Sequence, residues 1–223
     1  MTFSLVGRCP GTGMLGMVIS SSSPAVAARC AHVRAGVGAV ASQNVTDPAL
    51  GPLVLDQLAR DLRAAEALRR VAEGRDHIAF RQLLVVDRFG GTATWSGDRV
   101  LGVWGAAEGT DCAAGGNLLA SPDVPAAMVA AFEGSQGHLA DRLMTTLEAG
   151  LAAGGEAGPV HSAGLKVADR LSWPLVDLRV DWSDDPVGDL RRVWQVYRPQ
   201  IQAYVDRAEN PDGASSYGVP GDR

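Results

Sequence analysis

Thr2 follows Met1 directly and opens a short alternating stretch, Thr2 to Val6. Initiator methionine is commonly removed where the next residue is small, and threonine qualifies. Removal would leave Thr2 with a hydroxyl and a free α-amine on the same residue. An α-amine titrates at about 7.7–8.0, so it can serve as general base near neutral pH while the hydroxyl attacks an acyl carbon. No histidine is needed for that chemistry. The same residue also reads as a small polar member of a first strand, and the residues alone leave both readings open. Other chemistry has less support. His32, His77, His138 and His161 have no ligand spacing. Cys9, Cys30 and Cys112 form no CxxC pair, so neither a zinc site nor a disulfide framework is implied. HExxH, GxSxG and a phosphate loop ending in GK[ST] are all missing. GTGMLG has part of a dinucleotide-binding pattern, but it falls between two expected strands rather than between a strand and a helix. No metal and no cofactor is therefore expected.

The elements that must carry Thr2 can be read from periodicity. Thr2 to Val6 and residues 14–20 form two strands joined by a turn through Cys9–Gly13, and residues 36–42 form a third. A helix is expected from Leu53 to Glu73, because Leu55, Leu58, Leu62, Leu68 and Val71 recur at helical spacing. RQLLVVD (81–87) and TATWS (92–96) read as strands, and RVLGVWG (99–105) as one more. Residues 121–133 begin with capping residues and an early proline, the way helices start, and a neighbouring helix follows from Leu139 to Leu151. Residues 153–159 are a loop. Residues 162–168 and 174–182 return to strand pattern, with Val176, Leu178, Val180 and Trp182 alternating against Asp177, Arg179 and Asp181. A helix over Asp185–Arg198 ends or kinks at Pro199, with a brief continuation over 200–207. Blocks of strands and blocks of helices, without strict alternation, predict a layered α+β fold.

Bulk properties narrow the class. The 223 residues can bury a sizeable core without disulfides or metals. A single domain over 1–207 is expected, with an extended tail over 208–223 rich in Gly, Pro, Ser and Asp. The net charge of -5 and the lack of any long basic run argue against nucleic-acid binding, which needs clustered Arg or Lys. Lys166 is the only lysine in the sequence. No uncharged apolar stretch is long enough to span a membrane, and no signal-peptide pattern is visible, so no membrane association and a cytoplasmic location are expected.

Several stretches together resemble one family. They are MTFSLV, GMLGMVISSSSPAVAARCAHVRAGVGAVASQNVTDPALGP, RQLLVVD, GGNLLASPDV, LADRLMTTLEAG, GLKVADR and VDLRVDWSDDPVGDLRRVW. They cover roughly residues 1–195 and resemble domain-of-unknown-function family 1028, a branch of the N-terminal-nucleophile hydrolases. WQVYRPQIQAYVDRAENP with SYGVPGDR resembles one subgroup. The resemblance implies a four-layer αββα sandwich, with two antiparallel sheets between helix layers. It also implies amide hydrolysis or a related acyl transfer, whereas a small-molecule substrate is expected from the domain size and the absence of polymer-binding patterns.

On that scaffold Thr2 would be the nucleophile and its amine the base. Asn117, after two glycines, is the candidate oxyanion donor. Ser20 or Ser21 would orient the amine, and Ser4 shares the strand face of Thr2. Gln43 and Asn44 offer amide donors to a substrate, Asp47 would bind a substrate amine, and His161 would touch the substrate. The lysine or arginine that such enzymes often keep near the nucleophile has no residue-by-residue match in Lys166 or Arg34. The expected function is a cofactor-independent hydrolase of a small polar amide or lactam. That reading expects Thr2 exposed as the true N-terminus in a concave pocket lined by polar groups. The alternative is a non-catalytic small-molecule-binding or assembly protein on the same scaffold, with Met1 retained or Thr2 buried and no donors converging nearby. A homodimer or larger ring is the expected assembly, with Trp194, Tyr197, Tyr204 and the tail at its interface.

Overall fold

The structure is a computed structural model that describes residues 2–221. Strand β1 (Thr2–Arg8) pairs antiparallel with β2 (Leu15–Ser21), as the hairpin pattern predicts. Helix α1 (Val26–Cys30), β3 (Ala31–Arg34) and β4 (Gly38–Asn44) follow. Next come α2 (Leu50–Leu58), α3 (Ala64–Ala72), β5 (Arg81–Asp87) and β6 (Thr92–Ser96). The hairpin β7 (Gly105–Gly109) and β8 (Cys112–Asn117) leads to α4 (Val124–Gly134) and α5 (Leu139–Ala152). The chain closes with β9 (Ser162–Ala168), β10 (Val176–Val180), α6 (Pro186–Tyr197) and α7 (Ile201–Glu209).

One antiparallel sheet has the order β10-β9-β2-β1-β8-β7, the other β3-β4-β5-β6. Period-two alternation gives each strand one side chain for either face. Along β1, Phe3 and Leu5 join the cluster under α4 and α5, whereas Val6 joins the cluster between the sheets. In the second sheet, Val40, Leu83 and Val85 pack under α2 and α3, whereas Ala39, Ala41, Leu84 and Val86 face the first sheet. The layers are helix, sheet, sheet, helix, an α+β sandwich of the αββα kind. Each large apolar side chain buried in these three clusters contributes about 1.5–3 kcal/mol. Gly115 on β8 lets the sheets approach, since a Cβ there would stand 2.8 Å from a Leu84 methyl group.

Several elements depart from the sequence pattern. The helix expected over 53–73 is two helices, broken where Asp61 adopts a left-handed φ of 67° and Arg63 is extended. Asp87, at the end of β5, takes over as cap: its Oδ2 accepts the Ala64 N–H at 3.0 Å. Both helices face the same core, so the leucine spacing runs through the break. The strand expected over 99–105 is a loop, because Gly102 (φ 63°) interrupts the extended run and Leu101, Val103 and Trp104 stay exposed. The true strands there, β7 and β8, are built from Gly and Ala, which carry little β signal. α1 and β3 also lack a clear pattern in the sequence. After Pro199 the helix resumes as α7 and runs to Glu209, past the expected brief continuation. Trp194, expected at a subunit interface, is buried in its own chain and donates its indole N–H to Asp141 at 2.9 Å.

Candidate functional site

At the end of the sandwich where β1 begins, the inter-sheet face changes from apolar to polar. The alternation that puts Val6 between the sheets also puts Ser4 and Thr2 there. Ser21 follows Met17 and Ile19 on the matching face of β2, and Asn117 follows Ala113 and Gly115 on β8. Gln43 continues Ala39 and Ala41 on β4, and Gln82 precedes Leu84 and Val86 on β5. Thr2 is paired in register with Asn117, and its Oγ1 donates to Ser21 Oγ at 3.4 Å. Thr2 is 5% exposed, so it does not stand open to solvent as the hydrolase reading expects, yet polar groups do converge on its face.

A hydrogen-bond chain crosses between the sheets beneath Thr2. Ser4 Oγ donates to Gln43 Oε1 at 2.6 Å, and Gln43 Nε2 donates to Gln82 Oε1 at 2.8 Å. Asn117 Nδ2 donates to the same Gln82 oxygen at 3.2 Å. The amide orientation of Gln82 is fixed by its other end, where Nε2 faces the Gly105 and Gly116 carbonyls and Ser96 Oγ, each at 3.2 Å. Asn117 must then turn its nitrogen to Gln82. Its Oδ1 is left buried without a hydrogen-bond partner among the described residues. What Asn117 holds spare is therefore an acceptor, which suits an ammonium or N–H group. Unpaired buried acceptors cost about 1–3 kcal/mol each, so an Oδ1 left in this state points to a donor that arrives later.

Glu156 completes this end and had no sequence signal, lying in the loop AGGEAGP. It is 5% exposed, and its Oε1 accepts the Ser22 N–H at 2.9 Å. Burial pushes its carboxyl above the ordinary range, an effect opposed by hydrogen bonds from Ser22 and Ser21. Gln82 was also not singled out from the sequence, although its alternation with Leu84 and Val86 already put it on the inner face.

The other candidate residues divide. Ser4, Ser21, Gln43 and Asn117 share the inner face with Thr2. Ser20 alternates to the opposite face of β2 and donates to the Ser162 carbonyl at 3.0 Å. Asn44 (φ 75°) turns out of β4, with its Nδ2 on the Phe80 carbonyl at 2.6 Å and its Oδ1 accepting Leu101 N–H at 3.3 Å. Asp47 accepts the Ala49 N–H at 3.0 Å in the turn before α2. His161 touches Ser21 only through the backbone, its N–H reaching the Ser21 carbonyl at 2.8 Å. The His161 ring instead stacks on Trp182 at 4.4 Å. Lys166 pairs with Asp177 at 3.1 Å across β9–β10, and Arg34 with Asp56 at 2.9 Å on α2. Among the described residues, no three His, Cys, Asp or Glu side chains are grouped to hold a metal. No helix among them is long and apolar enough to cross a membrane.

Residues 2–190 match the family described as a family of unknown function, DUF1028. The chain belongs to the DUF1028 family. The match spans every residue of the polar end, from Thr2 to His161, and stops within α6. A solved DUF1028 protein, SPO2555 of Silicibacter pomeroyi, superposes with a TM-score of 0.85 and 28% identity, covering 91% of this chain and 89% of its own. A second solved structure, the ancestral β-subunit Anbu of Yersinia bercovieri, aligns with a TM-score of 0.37 and 13% identity over 91% of this chain and 97% of its own. No curated protein matches the chain. DUF1028 membership supplies no roles for residues, so those rest on the geometry.

Proposed function

We propose that this DUF1028 protein is a cofactor-independent hydrolase of a small polar amide or lactam, with Thr2 as nucleophile once Met1 is removed. One observation carries the reading: the buried, unpartnered Asn117 Oδ1 lies on the strand partner of Thr2, at the start of β1. Removal of Met1 converts the Thr2 amide N–H into an amine with several donors, which is what that acceptor lacks. The reaction follows from the same atoms. The neutral amine takes the proton from Thr2 Oγ1 as the oxygen bonds to the substrate carbonyl carbon. The tetrahedral intermediate collapses with loss of the leaving nitrogen, which receives that proton. Water, deprotonated by the amine, then releases the acid and restores Thr2. Ser21 Oγ, 3.4 Å from Thr2 Oγ1, orients the nucleophile. The Ser4–Gln43–Gln82 chain holds Asn117 in place.

The limited exposure of Thr2, 5%, favours the second reading, a binding or assembly protein. Intact mass of the untagged, purified chain separates the two. Loss of one methionine residue is expected, followed by amide- or lactam-hydrolase activity that falls by at least about a thousandfold in Thr2→Ala. Retained Met1, or unchanged activity in Thr2→Ala, would overturn the nucleophile assignment.

A further inference from the structure

Glu156 arches over the start of β1. In the sheet, β1 lies between β2 and β8. On the β8 side the Glu156 backbone is locked to the residues just after Asn117. Glu156 bridges Leu119, Ala157 N–H reaches the Leu118 carbonyl at 3.0 Å, and Ala120 N–H reaches the Gly155 carbonyl at 3.1 Å. On the β2 side its carboxylate accepts the Ser22 N–H, one residue past the end of that strand. The register Phe3↔Ser20 sets Ser21 beside Thr2 and Ser22 beyond it. The carboxylate thus stands at the end of the sheet where β1 starts. Its Oε2 is buried and has no hydrogen-bond partner among the described residues.

We propose that Glu156 is the positioning residue for the α-amine of processed Thr2: it holds the ammonium as counter-ion and sets the pH at which the amine becomes a base. This rests on the Thr2 reading above. It assigns a role to a residue outside the strands that carry the nucleophile.

The cleft of about 250 Å³ that Glu156 borders is also lined by Asp184 and Asp185, and no lysine or arginine lines it. The Asp184 side chain is fully exposed, and Asp185 is spent capping α6 through the Gly188 N–H at 3.1 Å. His161 faces the Ser183 carbonyl at 3.1 Å and Asp184 at 3.8 Å. A carboxylate within a few ångströms of an ammonium favours the charged form, so Glu156 raises the amine's pKa above its ordinary value. The base form needed to take the Thr2 proton therefore appears at higher pH than it would without Glu156.

The test needs no substrate. The α-amine of the full chain is methylated with ¹³C-formaldehyde under reducing conditions, and its pKa is read from the NMR shift against pH. Wild type is compared with Glu156→Gln, each also carrying Thr2→Ala so that the hydroxyl plays no part. The pKa is expected to fall by about one pH unit or more in Glu156→Gln. An unchanged pKa overturns the proposal while leaving Thr2 as nucleophile intact. A shifted pKa with no Thr2-dependent hydrolysis upholds it and defeats the catalytic reading. Retained Met1 in the mass spectrum defeats both. Should Glu156→Gln fail to fold, Glu156→Asp keeps the charge with a shorter reach, and its pKa should lie below wild type; equality with wild type would overturn the assignment.

Discussion

Replacing Gln82 with alanine should remove the centre of the polar bridge between the sheets. Gln82 is fully buried, and five polar groups meet its amide. Two of them, Gln43 Nε2 and Asn117 Nδ2, are buried side-chain donors that both bond to Gln82 Oε1. Each stranded donor costs about 1–3 kcal/mol, and the vacated volume adds a cavity term that an entering water would partly offset. A net loss of about 3–5 kcal/mol is expected, read as a fall in the urea midpoint at unchanged slope. Gln82→Glu gives a second, independent reading. It keeps the shape but places one carboxyl oxygen against the Gly105 and Gly116 carbonyls, so its folded-state pKa must rise. The unfolded chain then loses its proton at about 4.3 while the folded chain keeps it. Stability should therefore fall as pH rises from about 4.3 towards the folded pKa, and hold below that window. A loss under about 1 kcal/mol for the alanine variant, together with no pH slope for the glutamate variant, would refute the bridge as a structural element.

The three cysteines should react in a fixed order. Burial alone would raise the Cys9 thiol, but the Thr12 side chain and the N–H groups of Thr12 and Gly11 bring it below its ordinary value. Burial pushes Cys30 up, and burial with the Glu133 charge pushes Cys112 up to about 12. Iodoacetamide at pH 8 should label Cys9 first in the native protein, as peptide mapping would show; equal labelling of Cys112 would contradict the packing around it. His138 should make the fold acid-sensitive. Its Nδ1 accepts the Ala140 N–H at 3.2 Å as the cap of α5, and burial lowers its pKa. Below about 6.5 the unfolded chain binds a proton that the folded chain resists, so stability falls with pH in that window. His138→Asn keeps a capping oxygen without the titration, and should flatten the thermal-stability profile between pH 5 and 7; an unchanged slope would place the acid sensitivity elsewhere.

Alternation and helical spacing, which are local, carried the strands β1, β2, β5 and β9 and the helices α4, α5 and α6 to within a few residues. The same alternation placed Ser4 with Thr2. Where residue types are ambiguous, the local signal failed. Gly-Ala strands β7 and β8 gave no strand signal, and Leu101–Trp104 looked like strand, because only packing decides which apolar residue is covered. The break at Asp61 had the same origin: its new helix start is capped by Asp87, at the far end of β5.

The sequence by itself determined that Thr2 could be a nucleophile with its own base, because that chemistry resides in one residue. How the groups around it meet, and that Gln82 and Glu156 join them, was a matter for the tertiary structure. Asn117 comes beside Thr2 through strand pairing across 114 intervening positions, and Gln82 reaches it from the other sheet. Glu156 arrives from a glycine-rich loop with no periodicity to mark it. Hydrogen bonding acts over about 3 Å of space and is indifferent to separation along the chain. The unpaired Asn117 Oδ1 and Glu156 Oε2, on which the functional reading turns, exist only once two sheets and a loop have closed around the start of β1.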